Sequence, residues 1–295
     1  MKRTSPDVVT PDGRRLAVEV AGPEDGEVIV FHTGTPSVGS IFEPMLEAGA
    51  ERGLRHVSYA RPGYAGSDRH PGRSHADCVG DVEAILDHLG VDRFYVTGHS
   101  GGGPHSLACA ALLPDRVRSA ATTASVAPFD AEGLDWLAGM GQENLDEFAA
   151  QQAGDAELQS FLEKWVEVLR SVTPDEVIDA LGDLLPDADR EVLTGALAEF
   201  SAASMRAAVS SGIWGWFDDD VAVLADWGFD LGAIEVPVAI WQGEEDRMVP
   251  FAHGQWLAEH VSGAKAHLLP GEGHISLEVG SYRDVLDQLI ASAAA

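Results

Sequence analysis

Residues 93–103 read Arg93-Phe94-Tyr95-Val96-Thr97-Gly98-His99-Ser100-Gly101-Gly102-Gly103. A short apolar run leads into a G-x-S-x-G string, and helical spacing follows over about 101–112. Between a strand and a helix, such a string requires a sharp turn that lifts the serine side chain above the sheet. Flanking glycines relieve the crowding there and tolerate the positive φ values that such a turn imposes. The helix N-terminus below adds exposed N–H groups and partial positive charge where an oxyanion would develop. Ser100 is therefore the candidate nucleophile.

Working outward, 14–20 alternates as a strand, and 27–31 is a short apolar run ended by Gly34-Thr35-Pro36. Helical spacing over 40–52 precedes a strand at 54–60, which Arg61-Pro62-Gly63 closes. Residues 75–89 place Val79, Val82, Ile85, Leu86 and Leu89 on one helical face ended by Gly90, and 117–126 is the next strand after the serine turn. This β-α rhythm predicts a largely parallel sheet with helices on both faces. From 129 to 227 only helical patterns occur, such as Leu158, Phe161, Leu162, Trp165, Val168 and Leu169. The rhythm then resumes with strands at 236–242 and 264–269 and helices at 251–262 and 282–292. The expected organisation is a core of residues 1–128 and 228–295 interrupted by a helical cap at 129–227, with 291–295 fraying at the end.

Composition narrows the function classes. A chain of 295 residues with 45% hydrophobic content can bury a sizeable core, and no 18-residue apolar run offers a membrane span. Its formal charge of −29 repels phosphate backbones and anionic lipid surfaces. The expected partner is a small-molecule substrate, with no nucleic acid and no membrane; the oligomeric state is left open. Cys78 and Cys109 are too few for a disulfide framework and lack zinc-ligand spacing, so no metal and no cofactor are expected, and a reducing compartment fits. Ser5, Pro6 and Asp7 stand where a signal peptide needs its apolar stretch, which points to the cytoplasm.

A serine hydroxyl needs a base, and the base needs an orienting acid. Loops at the carboxyl ends of parallel strands share one rim with the serine turn. The strand at 236–242 ends in Gly243-Glu244-Glu245-Asp246, and the last strand ends in Gly271-Glu272-Gly273-His274. Asp246 and His274 are the expected partners, with Glu244, Glu245 and Asp130 as rival acids. His105 and His253 read as structural. Trp214, Trp216 and Phe217 either line an apolar pocket beneath the cap or pack the cap on the core, and His99 either packs beside the sheet or faces the substrate, where it could serve as a second base. Asp218, Asp219 and Asp220 read as a solvated turn or helix cap.

With these motifs in hand, the chain resembles a capped α/β-hydrolase of the serine-nucleophile branch, from about residue 13 onward and least through the cap. The resemblance implies an oxyanion hole from the loop His32-Thr33-Gly34-Thr35-Pro36. Thr33 stands where the family usually has His, which leaves Gly34 or Thr35 beside Gly101 as N–H donors. Ala60 stands where an Asp is common, in the turn Ala60-Arg61-Pro62-Gly63-Tyr64-Ala65-Gly66-Ser67. The implied chemistry is ester-like acyl transfer, on a carboxylic ester or a lactone. A proline-iminopeptidase-like activity, in which Glu143, Asp146 or Glu147 binds a substrate ammonium, is the enzymatic alternative. A small-molecule receptor without turnover is the non-enzymatic one. Carbon-carbon hydrolysis and perhydrolysis use the same triad.

Overall fold

A computed structural model describes residues 1–294. Nine strands form one sheet in the order β1(Arg3–Thr4), β3(Arg15–Ala21), β5(Leu54–Tyr59), β4(Glu27–His32), β6(Phe94–His99), β7(Val117–Thr123), β8(Val238–Gly243), β9(Lys265–Leu269), with β2(Asp7–Val9) also pairing with β3. From β5 to β9 every pairing is parallel, and β1, β2 and β5 pair antiparallel with β3. The sequence pattern did not reveal β1 and β2, which are too short to show an alternation.

The period of two along a strand divides the core between the faces. Val28 and Val30 of β4 pack under α2(Cys78–Leu89) and α3(Gly103–Leu112), whereas Ile29 and Phe31 join α1(Glu43–Ala50) and α11(Ile275–Ala293) on the other side. Helix α10(Phe251–His260) lies on the α2 and α3 side. Gly90 ends α2 with a left-handed φ of 67°, a conformation that costs glycine little. Helix α11 begins seven residues before the expected start and runs to Ala293, so 291–293, expected as a loose end, are part of the helix; Ala295 lies outside the described residues.

Between β7 and β8 the longer elements are α4(Gln142–Ala153), α5(Asp155–Leu169), α6(Val177–Leu181), α7(Asp187–Val192), α8(Gly195–Ala208) and α9(Trp214–Leu224), with no strand among the described residues. Helix α5 carries Leu158, Leu162, Val166 and Leu169 on its buried face. Among the described residues no helix is long and apolar enough to cross a membrane.

Candidate active site

The turn after β6 is built by close approach. A Cβ on Gly98 would lie 2.1 Å from the Gly102 carbonyl oxygen, and one on Gly102 would lie 2.1 Å from that of His32. The strain itself falls on the serine: Ser100 has φ 55°, whereas Gly98, Gly101, Gly102 and Gly103 keep ordinary φ values. The glycines thus supply space rather than positive φ. A Cβ on Gly34 would sit 3.2 Å from Ser100 Cβ, so the loop after β4 lies against the serine.

His274 and Asp246 meet directly, with His274 Nδ1 2.8 Å from Asp246 Oδ2. The rest of the carboxylate is filled: Gln242 Nε2 donates to Oδ2 at 3.0 Å, and the N–H groups of Met248 and Val249 donate to Oδ1 at 2.9 and 2.8 Å. Glu244, Glu245 and Asp130 are exposed instead. Burial works against the imidazolium of His274, but Asp246, helped by Asp189 and Glu278, outweighs it and holds the pKa above the ordinary 6.5. Ser100 and His274 line one cavity of about 210 Å³ with Gly34, His99, Phe42 and Phe200. No hydrogen bond joins Ser100 Oγ to His274. Catalytic contacts of this kind often tighten only when substrate arrives.

A second cavity of about 270 Å³ also borders Ser100, lined by Thr35, Gly101, Trp216, Glu147 and Asp220 among others. Of the three aromatic candidates only Trp216 reaches it, and its indole N–H donates to Glu147 Oε1 at 2.6 Å. Trp214 is 39% exposed with the Arg69 guanidinium 4.0 Å above its ring, and Phe217 packs against the α5 leucines. The reason is helical geometry, which turns consecutive residues of α9 in different directions. His99 faces the His274 cavity, its ring 4.5 Å from that of His274. Burial, reinforced by His274, pushes the His99 pKa well down, so its contact with Glu278 at 3.5 Å is not an ion pair. His105 bonds to Gly101 O at 3.1 Å. His253 is held between Ala127 N and Trp136 O.

The three aspartates of α9 are buried, contrary to the solvated turn expected from their charge. Asp219, 2% exposed, accepts from Arg61 and Arg73 at 2.6 Å each, from Tyr64 OH at 2.8 Å and from Thr35 Oγ1 at 2.9 Å. Arg61 also donates to the carbonyls of Thr33 and Gly34, clamping the loop beside Ser100. Asp218 pairs with Arg69. Burial alone would raise the Asp219 carboxyl; Arg61 and Arg73 hold it far below the usual carboxylate range. The sequence shows Arg61 and the aspartates but not their pairing, because they lie more than 140 residues apart.

Spacing along the chain also gives no metal signal, yet the fold collects His32, Cys78 and Cys109, whose ligand atoms lie within 4.8 Å of one another. Cys109 Sγ is 3.8 Å from His32 Nε2, and Cys78 Sγ donates to His105 O at 3.6 Å.

Residues 27–281 match the family model described as alpha/beta hydrolase fold. An uncharacterised hydrolase of Bacillus subtilis is 26% identical over 278 residues, 91% of either chain. A bifunctional esterase/perhydrolase of Acinetobacter calcoaceticus is 29% identical over 274 residues, covering 90% of this chain and 92% of the relative. A hydrolase structure from Pseudomonas aeruginosa superposes with a TM-score of 0.70 at 22% identity, over 99% of both chains.

Proposed function

Because this chain belongs to the α/β-hydrolase family, an enzyme family represented among its relatives by an esterase/perhydrolase, we propose that it hydrolyses a small ester-like substrate through an acyl-enzyme. His274 Nε2 takes the proton from Ser100 Oγ as the oxygen attacks the carbonyl carbon. The backbone N–H groups of Gly101 and Thr35 are the donors to the developing oxyanion in this reading, supported by the packing of Thr35 against Gly101, with Thr35 N 3.5 Å from where a Cβ on Gly101 would stand. The imidazolium then returns its proton to the leaving alkoxide, and water, deprotonated by the same ring, releases the acid. Asp246 fixes the tautomer that leaves Nε2 free to act as base. The observation that carries the reading is the 2.8 Å His274–Asp246 contact, with the imidazole and Ser100 lining one cavity.

A leaving group must lie on the imidazole side to receive the proton. The cavity with His274 is therefore the leaving-group side, and the cavity with Trp216 takes the acyl group. Residues 129–227 act as the cap over both. The test is fluorophosphonate labelling together with turnover of short p-nitrophenyl esters. Ser100→Ala should lose labelling and nearly all turnover, on the order of 10⁶-fold. Labelling that survives in Ser100→Ala would overturn the assignment, and stoichiometric binding without an acyl-enzyme would favour a receptor.

One observation favours a second reading, an amine-bearing acyl group as in an aminopeptidase. Glu147 and Asp220 stand together in the acyl cavity, where burial raises both carboxyls and no Lys or Arg pairs with either among the described residues. Asp220 Oδ2 is buried without a hydrogen-bond donor. Glu143 instead accepts from Asp183 N, and Asp146 is exposed. Faster cleavage of a proline anilide than of short acyl esters would select this reading.

A further inference from the structure

The base proposed above depends on a residue outside the sheet core. His274 opens α11, a helix of 19 residues whose first N–H groups have no partner within the helix and whose N-cap residue offers no side-chain cap. That cap comes from 85 residues upstream. Asp189 on α7, fully buried, accepts from His274 N at 2.9 Å through Oδ2, and from Ile275 N at 2.9 Å and Ser276 N at 2.8 Å through Oδ1. The preceding Gly273 N donates to Ser276 Oγ at 2.8 Å, closing the turn. A Cβ on Gly273 would stand 2.4 Å from Asp189 Oδ1, so the close approach requires glycine there.

We propose that Asp189 is a positioning residue for His274: by gripping the backbone of residues 274–276 from the inserted helices, it sets the imidazole against Ser100 only while α7 is seated on the core. Two anchors then define the ring. Asp246 holds Nδ1 through the side chain, and Asp189 holds the backbone from which the side chain springs. The inference rests on the reading of His274 as the base, but it adds that the helical insertion is part of the catalytic geometry and not a cover alone.

The charge of Asp189 gives a signature that scaffolding alone would not. The groups facing His274 are Asp246 from the loop after β8, Asp189 from α7, Glu278 from its own helix and His99 from β6. Of the charged ones, Asp189 can be neutralised with little change in shape as Asp189→Asn.

The experiment compares Asp189→Asn with Asp187→Asn, an exposed acid on the same helix, by steady-state kinetics on one short ester from acid to neutral pH, by fluorophosphonate labelling rate and by thermal melting. The expected result for Asp189→Asn is a kcat lower by about 10- to 100-fold, as for a base displaced by a fraction of an ångström to an ångström. KM should change little, labelling should slow, and the acid limb of the pH profile should move down. Asp187→Asn should match the wild type. If Asp189→Asn does not fold, Gly273→Ala decides, because it pushes the same contact apart while leaving every hydrogen-bonding side chain in place, and the same fall in kcat is expected. A folded Asp189→Asn with wild-type kcat and an unmoved acid limb, or a rise in KM alone, overturns the proposal. The same holds if Gly273→Ala keeps wild-type kcat. Failure of the triad reading would look different: wild-type enzyme in which Ser100 is never labelled.

Discussion

At Ser100 the left-handed backbone costs on the order of 1–3 kcal/mol, and the surrounding glycines let β6, the loop after β4 and α3 close around it. The same crowding makes the site sensitive to single atoms. Gly98→Ala should abolish ester turnover by forcing the Gly102 carbonyl away, measurable as lost fluorophosphonate labelling in a chain that still melts cooperatively. A second prediction concerns protons. Because Asp246 outweighs burial and raises the His274 pKa, the imidazole stays protonated, the form in which the proposed base is inactive, up to a pH above the ordinary 6.5. The acid limb of kcat/KM should therefore lie above 6.5, and Asp246→Asn should shift it down while lowering kcat by orders of magnitude. A limb at or below 6.5 in the wild type would contradict this electrostatic account.

Among the elements, α9 is held in place by buried charge. Three consecutive aspartates on it are buried, and Arg61, Arg69 and Arg73 from the stretch after β5 reach up to meet two of them. Removing one partner from such a pair leaves buried charge without compensation, at a cost of about 3–5 kcal/mol. Asp219→Ala should show that loss by denaturant unfolding, and should also slow turnover, since Arg61 no longer has a fixed anchor from which to hold the carbonyls of Thr33 and Gly34. An Asp219→Ala protein with unchanged stability would mean that water enters to solvate the arginines. Helix α7 is likewise tied to the site by a buried acid, through the Asp189 hydrogen bonds to the backbone of residues 274–276.

For the whole molecule, acid should be destabilising in a defined window. Burial holds His56 and His253 to a pKa of about 4 and His75 to about 3. Below about 6.5 the unfolded chain takes up protons at these imidazoles and the folded chain does not. Stability therefore falls as pH drops from about 6.5 toward 4, each imidazole contributing a loss of roughly 1.4 kcal/mol for every pH unit crossed within that window. Protonation also relieves the self-repulsion of a chain with charge −29, an opposing effect. Melting is best followed in about 1 M salt, where the Debye length is about 3 Å and surface charge is screened. A Tm that stays level from pH 7 to 4.5 under those conditions would show that these histidines titrate in the folded state.

How much of this the chain shows before it folds depends on distance along it. The turn at 98–102, the alternating strand β3, the short apolar runs of β4, β6 and β8 and the one-faced helix α2 are local patterns, because backbone geometry repeats every two or 3.6 residues whatever the tertiary setting. The order nucleophile, acid, base, with each candidate following a strand, was legible for the same reason, although Glu244 and Glu245 could not be told from Asp246 by spacing alone. By itself, then, the sequence determined a βα-rhythmic sheet, the site of its sharp turn and the side chains available at its rim. The tertiary structure alone decided that three adjacent aspartates turn inward, that of the aromatic trio Trp216 lines the cavity with Gly101 and Glu147, and that Asp189 caps the helix that His274 opens. Each of these depends on which distant group removes the cost of burying a charge or an unpaired N–H, and that partner is fixed by the path of the chain in space, not by its neighbours in the sequence.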